Sequence, residues 1–262
     1  MKAVLRSFSP AFNLFGFNPG VLFYAIQDLP FYIRDFVKIK KHKGDDSGFS
    51  FRKKYPIPGE RFPESGTISG RYFHQDLLIA KKIYLNKPKC HVDIGSRTDG
   101  FAARLAVFRE VEVLGIREQT GKVENIIFRK IDLMQMPEDM IDYCDSISAL
   151  HSIEHFGLGM YGDYIDYNGY VKAIQNIYSM LQRWGKFYFS VPIGSQRNEL
   201  NAHRIFSLYY LLNLFKDKFQ VNSFSYVNDN GELYENVELT ENDIATNLNC
   251  EFGCGIFELT KL

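Results

Sequence analysis

The stretch from His91 to Gly100, HVDIGSRTDG, constrains the chain more than any other. It starts apolar and β-branched and then turns Gly- and Asp-rich. Helix-like runs flank it, Gln75 to Leu85 before and Phe101 to Glu110 after. That order predicts a strand running into a loop that opens a helix. Asp93 falls where the strand ends. Gly95 and Gly100 let the backbone bend tightly and leave room for a ligand against it. The free N–H groups of the following helix point into the same crevice. In open α/β sheets, ligands bind at the carboxyl ends of the strands, near the switch point. The same glycines would also serve an α/β turn that holds no ligand.

Two ligand classes use such a loop. A dinucleotide needs G-x-G-x-x-G, and here Arg97 and Asp99 occupy places where small residues are wanted. The pattern D-I-G-S-x-x-D-G is closer to a loop for S-adenosylmethionine, whose zwitterionic amino-acid end suits an acid beside bare glycine backbone. On that reading Asp93, Gly95, Ser96, Arg97 and Gly100 make the cofactor loop. The second strand, Val111–Ile116, would supply an acid for the ribose hydroxyls. Glu118 can serve, although Arg117 stands nearer the usual acidic position. Asp132, after a short strand at Ile126–Arg129, is either a reader of the adenine amino group or a turn-capping Asp.

Length and composition bound the rest. With 262 residues, 45% of them apolar, the chain can bury a sizeable core. Lys plus Arg equals Asp plus Glu at 31 each, so no nucleic-acid partner is expected. The 23 Phe and 16 Tyr fit a large core or a sugar- or lipid-facing cleft. Of the cysteines, Cys90 and Cys144 sit in apolar strand-like runs, which suits reduced thiols and a cytoplasmic location. Cys250 and Cys254 have no second pair, so no zinc site is expected. No apolar run reaches the roughly 18 residues of a membrane span.

Residues 1–45 interleave Phe8, Phe12, Phe15, Phe17 and further aromatics with prolines and end in Lys38-Ile39-Lys40-Lys41-His42-Lys43. They are expected to form a helical arm, either packed on the core or a partner chain, or in peripheral contact with an anionic inner-membrane surface. Residues 46–70 are Pro- and Gly-rich and predict a linker or lid. From Arg71 to the end an α/β pattern predicts a Rossmann-like sheet flanked by helices. Its further strands are Asp145–Leu150, Lys186–Val191 and Gln220–Val227, with Gly255–Leu259 as a last edge strand. Its further helices are Tyr170–Leu181, ended by Trp184-Gly185, and Ile205–Phe215. Residues 228–249 read as loop and exposed surface.

Chemistry gathers after Leu150. His151-x-x-Glu154-His155 matches an inverted zinc-protease motif, but that reading needs both histidines on one helical face, and Gly-rich residues follow. A strand-end cluster fits better. His151 or His155 would take a proton from a hydroxyl, with Glu154 orienting the imidazole. Asp163, His203 and Arg204 fall on neighbouring carboxyl-end loops and would hold the acceptor, Arg204 through a bidentate contact with a phosphate or carboxylate.

The segments GRYFHQDLLIAKKI (70–83), HVDIGSRTDGF (91–101), CDSISALHSIEHFGLGMYGD (144–163), FYFSVPIG (187–194) and NAHRIF (201–206) resemble the bacterial domain of unknown function 268 family. The resemblance implies a class I S-adenosylmethionine-dependent methyltransferase fold, with Asp93, Gly95 and Gly100 in the cofactor loop, and an association with cell-surface polysaccharide genes. The resulting expectation is O-methylation of a sugar nucleotide or lipid-linked glycan by a cytoplasmic protein, with association into a homo-oligomer left open. Two alternatives stand beside it. Arg97, Arg117 and Arg204 would surround phosphate in a nucleotide-sugar or phosphoryl-handling transferase, or the fold would be a non-catalytic scaffold.

Overall fold

The computed structural model describes residues 16, 18–42, 56–57, 59–61, 68, 70–135, 138–199 and 202–262. Two compact units divide the chain, Met1–Thr67 and Ile68–Leu262. Phe8, Phe12, Phe15 and Phe17 of the expected arm lie outside the described residues, as do most of the expected linker and Asn201.

The first unit contains helix α1, Pro19–His42. Proline suits a first helical position because its missing N–H would be unpaired there anyway. The Asn18 side chain accepts from the N–H groups of Gly20 at 2.9 Å and Val21 at 3.2 Å. Lys40, Lys41 and His42 close the helix, where positive charge complements the dipole. Among the described residues no helix is long and apolar enough to cross a membrane.

The second unit is one eight-stranded sheet with helices on both faces. In chain order it runs α2 (Arg71–Asn86), β1 (His91–Ile94), a π-helical turn (Thr98–Ala102) continuing into α3 (Ala103–Ala106), β2 (Val111–Gly115), β3 (Ile126–Lys130) and β4 (Cys144–Leu150). Then follow α4 (Gly169–Met180), β5 (Leu181–Ile193), a separate hairpin of β6 (Arg197–Glu199) and β7 (His203–Ile205), α5 (Leu208–Phe215), β8 (Phe219–Val227), β9 (Leu233–Tyr234), α6 (Glu241–Thr246) and β10 (Gly253–Lys261). The strand order is β3-β2-β1-β4-β5-β10-β8-β9. The first five strands are parallel, and β10 is antiparallel to both neighbours. The chain works outward from β1 through β2 to β3, then returns to lay β4 on the other side. The switch point therefore lies between the carboxyl ends of β1 and β4.

The two sheet faces differ in chemistry. One buries Val92, Ile94, Ile147, Phe187, Phe189 and Phe257 against α4 and α5. Phe215 of α5 meets Phe189 and Phe257 at ring distances of 5.3 and 5.4 Å. The other face packs α2 through Leu78, Ile79 and Ile83 but also buries polar groups. Ser190 donates to Gln75 Oε1 at 2.7 Å, and Lys82 reaches Glu258 at 2.7 Å and Ser223 at 3.0 Å.

Four local expectations are corrected. The 255–259 strand is not an edge: β10 spans Gly253–Lys261 and pairs along its length with both β5 and β8. Helix α4 ends at Met180 rather than at Trp184-Gly185, and β5 begins at once with Leu181. Trp184 takes a positive φ of 65° within that strand, near a shift of register between Cys144 and Ser146. The expected helix at 205 starts at Leu208, because Ser207 caps it by accepting from Tyr210 N–H and the preceding residues pair as β7. Within 228–249, α6 forms on a capping box between Thr240 and Asp243.

Candidate functional site

The loop after β1 is held from below. Asp93 is fully buried and accepts from Ser148 Oγ at 2.6 Å, Ser96 Oγ at 3.0 Å and Ser96 N–H at 3.2 Å. Burial pushes its pKa up to about 6, against the lowering by those hydrogen bonds. The parallel register sets His91 beside Ser146 and Asp93 beside Ser148, and His91 contacts Ser146 Oγ at 2.7 Å and Ser148 Oγ at 3.1 Å. Ser148 gives its proton to Asp93, so His91 Nε2 must donate to Ser148. Burial holds His91 neutral, with its pKa pulled down to about 3. Asp93 is thus an anchor for the loop, with its oxygens turned inward.

Gly95 makes the turn at φ 76°, and a Cβ there would come to 3.0 Å from Ser152 Cβ. Its N–H donates to Leu114 O at 2.9 Å, tying the loop to β2. Gly100 lies in the π-helical turn with φ −114° and ψ −113°, outside the helical, extended and left-handed regions alike. Arg97 is 80% exposed and forms an ion pair with Asp99 at 2.7 Å.

Beyond β4 the structure gathers the second group. His151 adopts φ 47° and precedes a single 3-10 turn, Ile153–His155. Its Nδ1 donates to Glu154 Oε1 at 2.8 Å, and both side chains are 2% exposed. Because His151 stands outside that turn, the two histidines do not share a helical face. Burial works to strip the His151 proton, but the Cys254 sulfur and the Glu154 carboxylate facing the ring outweigh it and raise its pKa. His155 is more open at 16%, and its Nε2 is 3.8 Å from the same Glu154 oxygen. His155 Nδ1 lies 2.7 Å from Ala202 O. A carbonyl only accepts, so Nδ1 carries the hydrogen, and in the neutral ring the lone pair lies on Nε2.

Other expected site residues take structural posts. Asp163 accepts from the N–H groups of Gly157, Gly159 and Tyr161 at 2.8, 3.1 and 3.2 Å, folding the loop around itself. Arg204 corrects the expectation most. It is 4% exposed and donates to the carbonyls of Glu154, Phe156 and Tyr167 at 3.3, 2.7 and 2.9 Å, so its donors are turned onto backbone. Asp132 accepts from Met134 N–H at 2.9 Å as a turn cap. Glu118 is 76% exposed and lies 3.7 Å from Lys130, at the outer end of β3. His203 lies across the hairpin from Glu199 at 3.3 Å, and burial lowers its pKa.

Among the described residues, five buried side-chain polar atoms lack a well-formed hydrogen bond: His151 Nε2, Ser152 Oγ, Glu154 Oε2, His203 Nε2 and, in the first unit, Asp28 Oδ1. Three of them follow the carboxyl end of β4, and the fourth, on His203, opens β7. His203 Nε2 has Glu199 at 3.3 Å and His151 Nε2 has Cys254 facing it, which leaves Ser152 Oγ and Glu154 Oε2 without a partner. A buried unpaired polar atom costs about 1–3 kcal/mol, so the pair marks a place shaped for a polar ligand. Sequence reasoning missed Ser152 and Cys254. Ser152 stands next to a singled-out histidine, but only the fold brings Cys254, about a hundred residues later, against His151.

This sheet order, with a glycine turn at the switch point, defines the class I methyltransferase-like Rossmann fold. The chain belongs to the family described as Caenorhabditis protein of unknown function, DUF268, whose profile matches residues 88–251; the expectation of a bacterial family finds no support in that description. The structure is similar to the [4+2]-cyclase SpnF at 14% identity, covering 72% of this chain and 80% of that one, with a TM-score of 0.53. It is similar to the N-methyltransferase NodS from Bradyrhizobium japonicum WM9 at 11% identity, covering 74% and 99%, with a TM-score of 0.50. A putative sarcosine dimethylglycine methyltransferase from Galdieria sulphuraria matches at 13% identity, covering 71% and 85%, also with a TM-score of 0.50. No curated protein matches the sequence. Identities this low carry the fold alone, and a cyclase among the neighbours shows that the fold does not fix the reaction.

Proposed function

We propose that the chain is an S-adenosylmethionine-dependent O-methyltransferase acting on a sugar hydroxyl of a nucleotide- or lipid-linked glycan, in polysaccharide biosynthesis. The observation that carries this reading is the buried, unpaired Ser152 hydroxyl against the Gly95 turn at the switch point, two residues before the equally unpaired Glu154 Oε2. The residues present fit the cofactor. Gly95 leaves the backbone bare where a side chain would crowd Ser152, and the Ser152 hydroxyl is buried without a partner. Gly95, Ser96 and Ser152 would hold its polar end. When bound there, S-adenosylmethionine supplies a methyl group on a sulfonium sulfur.

The chain's own part is to hold the acceptor and take its proton. His155 Nε2 receives the hydroxyl proton, because its lone pair is free while Nδ1 is fixed on Ala202 O. Glu154 lies close to the imidazolium that results. His151 clamps Glu154 in place, which makes it a positioning residue rather than the base. The first unit, whose helix α1 ends in Lys40, Lys41 and His42, would supply the peripheral membrane contact of a cytoplasmic enzyme.

The test is calorimetric titration with S-adenosylhomocysteine, followed by methyl transfer to a panel of nucleotide sugars. Binding that survives in His155→Ala, with transfer reduced by about a hundredfold or more, is the expected result. Failure of the wild-type protein to bind S-adenosylhomocysteine would overturn the reading.

A further inference from the structure

Around the mouth of this site runs a chain of ring contacts with an arginine at each end. Arg117 lies over Tyr161 at 4.6 Å, Tyr161 meets His155 at 5.4 Å, and His155 meets His203 at 6.1 Å. His203 stacks on Phe252 at 4.8 Å and 25°, and Arg71 covers Phe252 at 3.8 Å. Tyr72, 61% exposed, packs its ring on His151 at 5.1 Å. Tyr72 follows Arg71 directly in the chain, which sets Arg71 beside the His151 end of the site.

The other arginines at this end of the sheet are already taken. Arg97 pairs with Asp99, Arg197 with Glu199, and Arg204 with backbone carbonyls. Arg71 and Arg117 form no hydrogen bond or ion pair among the described residues; each is held only by its face on an aromatic ring. A guanidinium stacked in this way keeps its N–H edges free, in the geometry that binds phosphate bidentately. We propose that the acceptor is phosphate-bearing, and that Arg71 and Arg117 grip its phosphate groups while His155 faces the hydroxyl. This rests on the transfer reading above. It moves the anion contact from Arg204, which is buried, to two residues at the rim.

The experiment is calorimetric titration of the full chain with inorganic pyrophosphate and with uridine diphosphate at fixed low salt, with malonate as a carboxylate control. It uses wild type, Arg71→Gln/Arg117→Gln, and Arg183→Gln. Arg183 stacks on Trp184 at 5.0 Å in the early part of β5 and serves as a surface-charge control. We expect both phosphate probes to bind wild type and Arg183→Gln alike, and to bind the double variant at least about tenfold more weakly. S-adenosylhomocysteine affinity should stay unchanged in all three. No pyrophosphate binding by wild type, equal binding by the double variant, malonate binding as tight as pyrophosphate, or a matching loss of S-adenosylhomocysteine affinity would each overturn the proposal. Phosphate binding that depends on the arginines without any S-adenosylhomocysteine binding would keep the anion site and sink the transfer reading instead.

Discussion

At Asp93 the chemistry of the loop and the physics of burial pull against each other. The carboxyl anchors Ser96 from a fully buried position, and its pKa rises from 3.8 to about 6. Between those values the folded state keeps a proton that the unfolded chain has lost. Stability from this group is therefore full below pH 4 and falls by roughly 3 kcal/mol as pH climbs through 6. The Asp93→Asn variant lacks that slope, so its stability relative to wild type should rise by this amount between pH 4 and pH 7, whatever offset the amide introduces. Denaturant midpoints at the two pH values check it. The two histidines should separate as cleanly. Truncating His155 is expected to reduce transfer and leave the melting temperature nearly unchanged. His151→Ala should lower the melting temperature, because it leaves the Glu154 carboxylate buried without its clamp. Equal effects of the two variants on both measurements would sink the division of roles.

Among the elements, the segment after β4 depends on distant residues for its shape. Arg204 on β7 ties the carbonyls of Glu154, Phe156 and Tyr167 together, and Asp163 gathers three amides of the same loop. Arg204→Met should destabilise the protein by about 3 kcal/mol or more, since it strands buried carbonyls, and should not act merely by raising KM for the acceptor. Helix α6 provides the contrast. Thr240→Ala removes one half of an exposed capping box and is expected to cost about 1 kcal/mol without altering S-adenosylhomocysteine affinity. The motif residues Asp163 and Arg204 were legible in the sequence as important. Their roles were not, because sequence gives the nearness of charges along the chain and not which backbone atoms a guanidinium will reach.

For the whole molecule, the place of β10 decides whether the sheet is continuous from β5 to β8. It pairs with β5 on one side and β8 on the other, and Phe257 packs between Phe189 and Phe224 at 6.2 and 4.8 Å. Deleting residues 253–262 is expected to abolish the cooperative unfolding transition, whereas loss of an edge strand would only lower its midpoint. Circular dichroism melting distinguishes the two. From the sequence alone followed the alternation of strands and helices, the glycine turn after β1, and the grouping of His151, Glu154 and His155, since each rests on local periodicity and neighbouring residues. Tertiary structure alone decided that the last strand enters the interior, that Arg204 turns inward, that Cys254 meets His151, and that Arg71 and Arg117 end one chain of rings. Those outcomes depend on which distant surfaces exclude water together, and burial, not spacing, then determines which charges must find partners and which remain free.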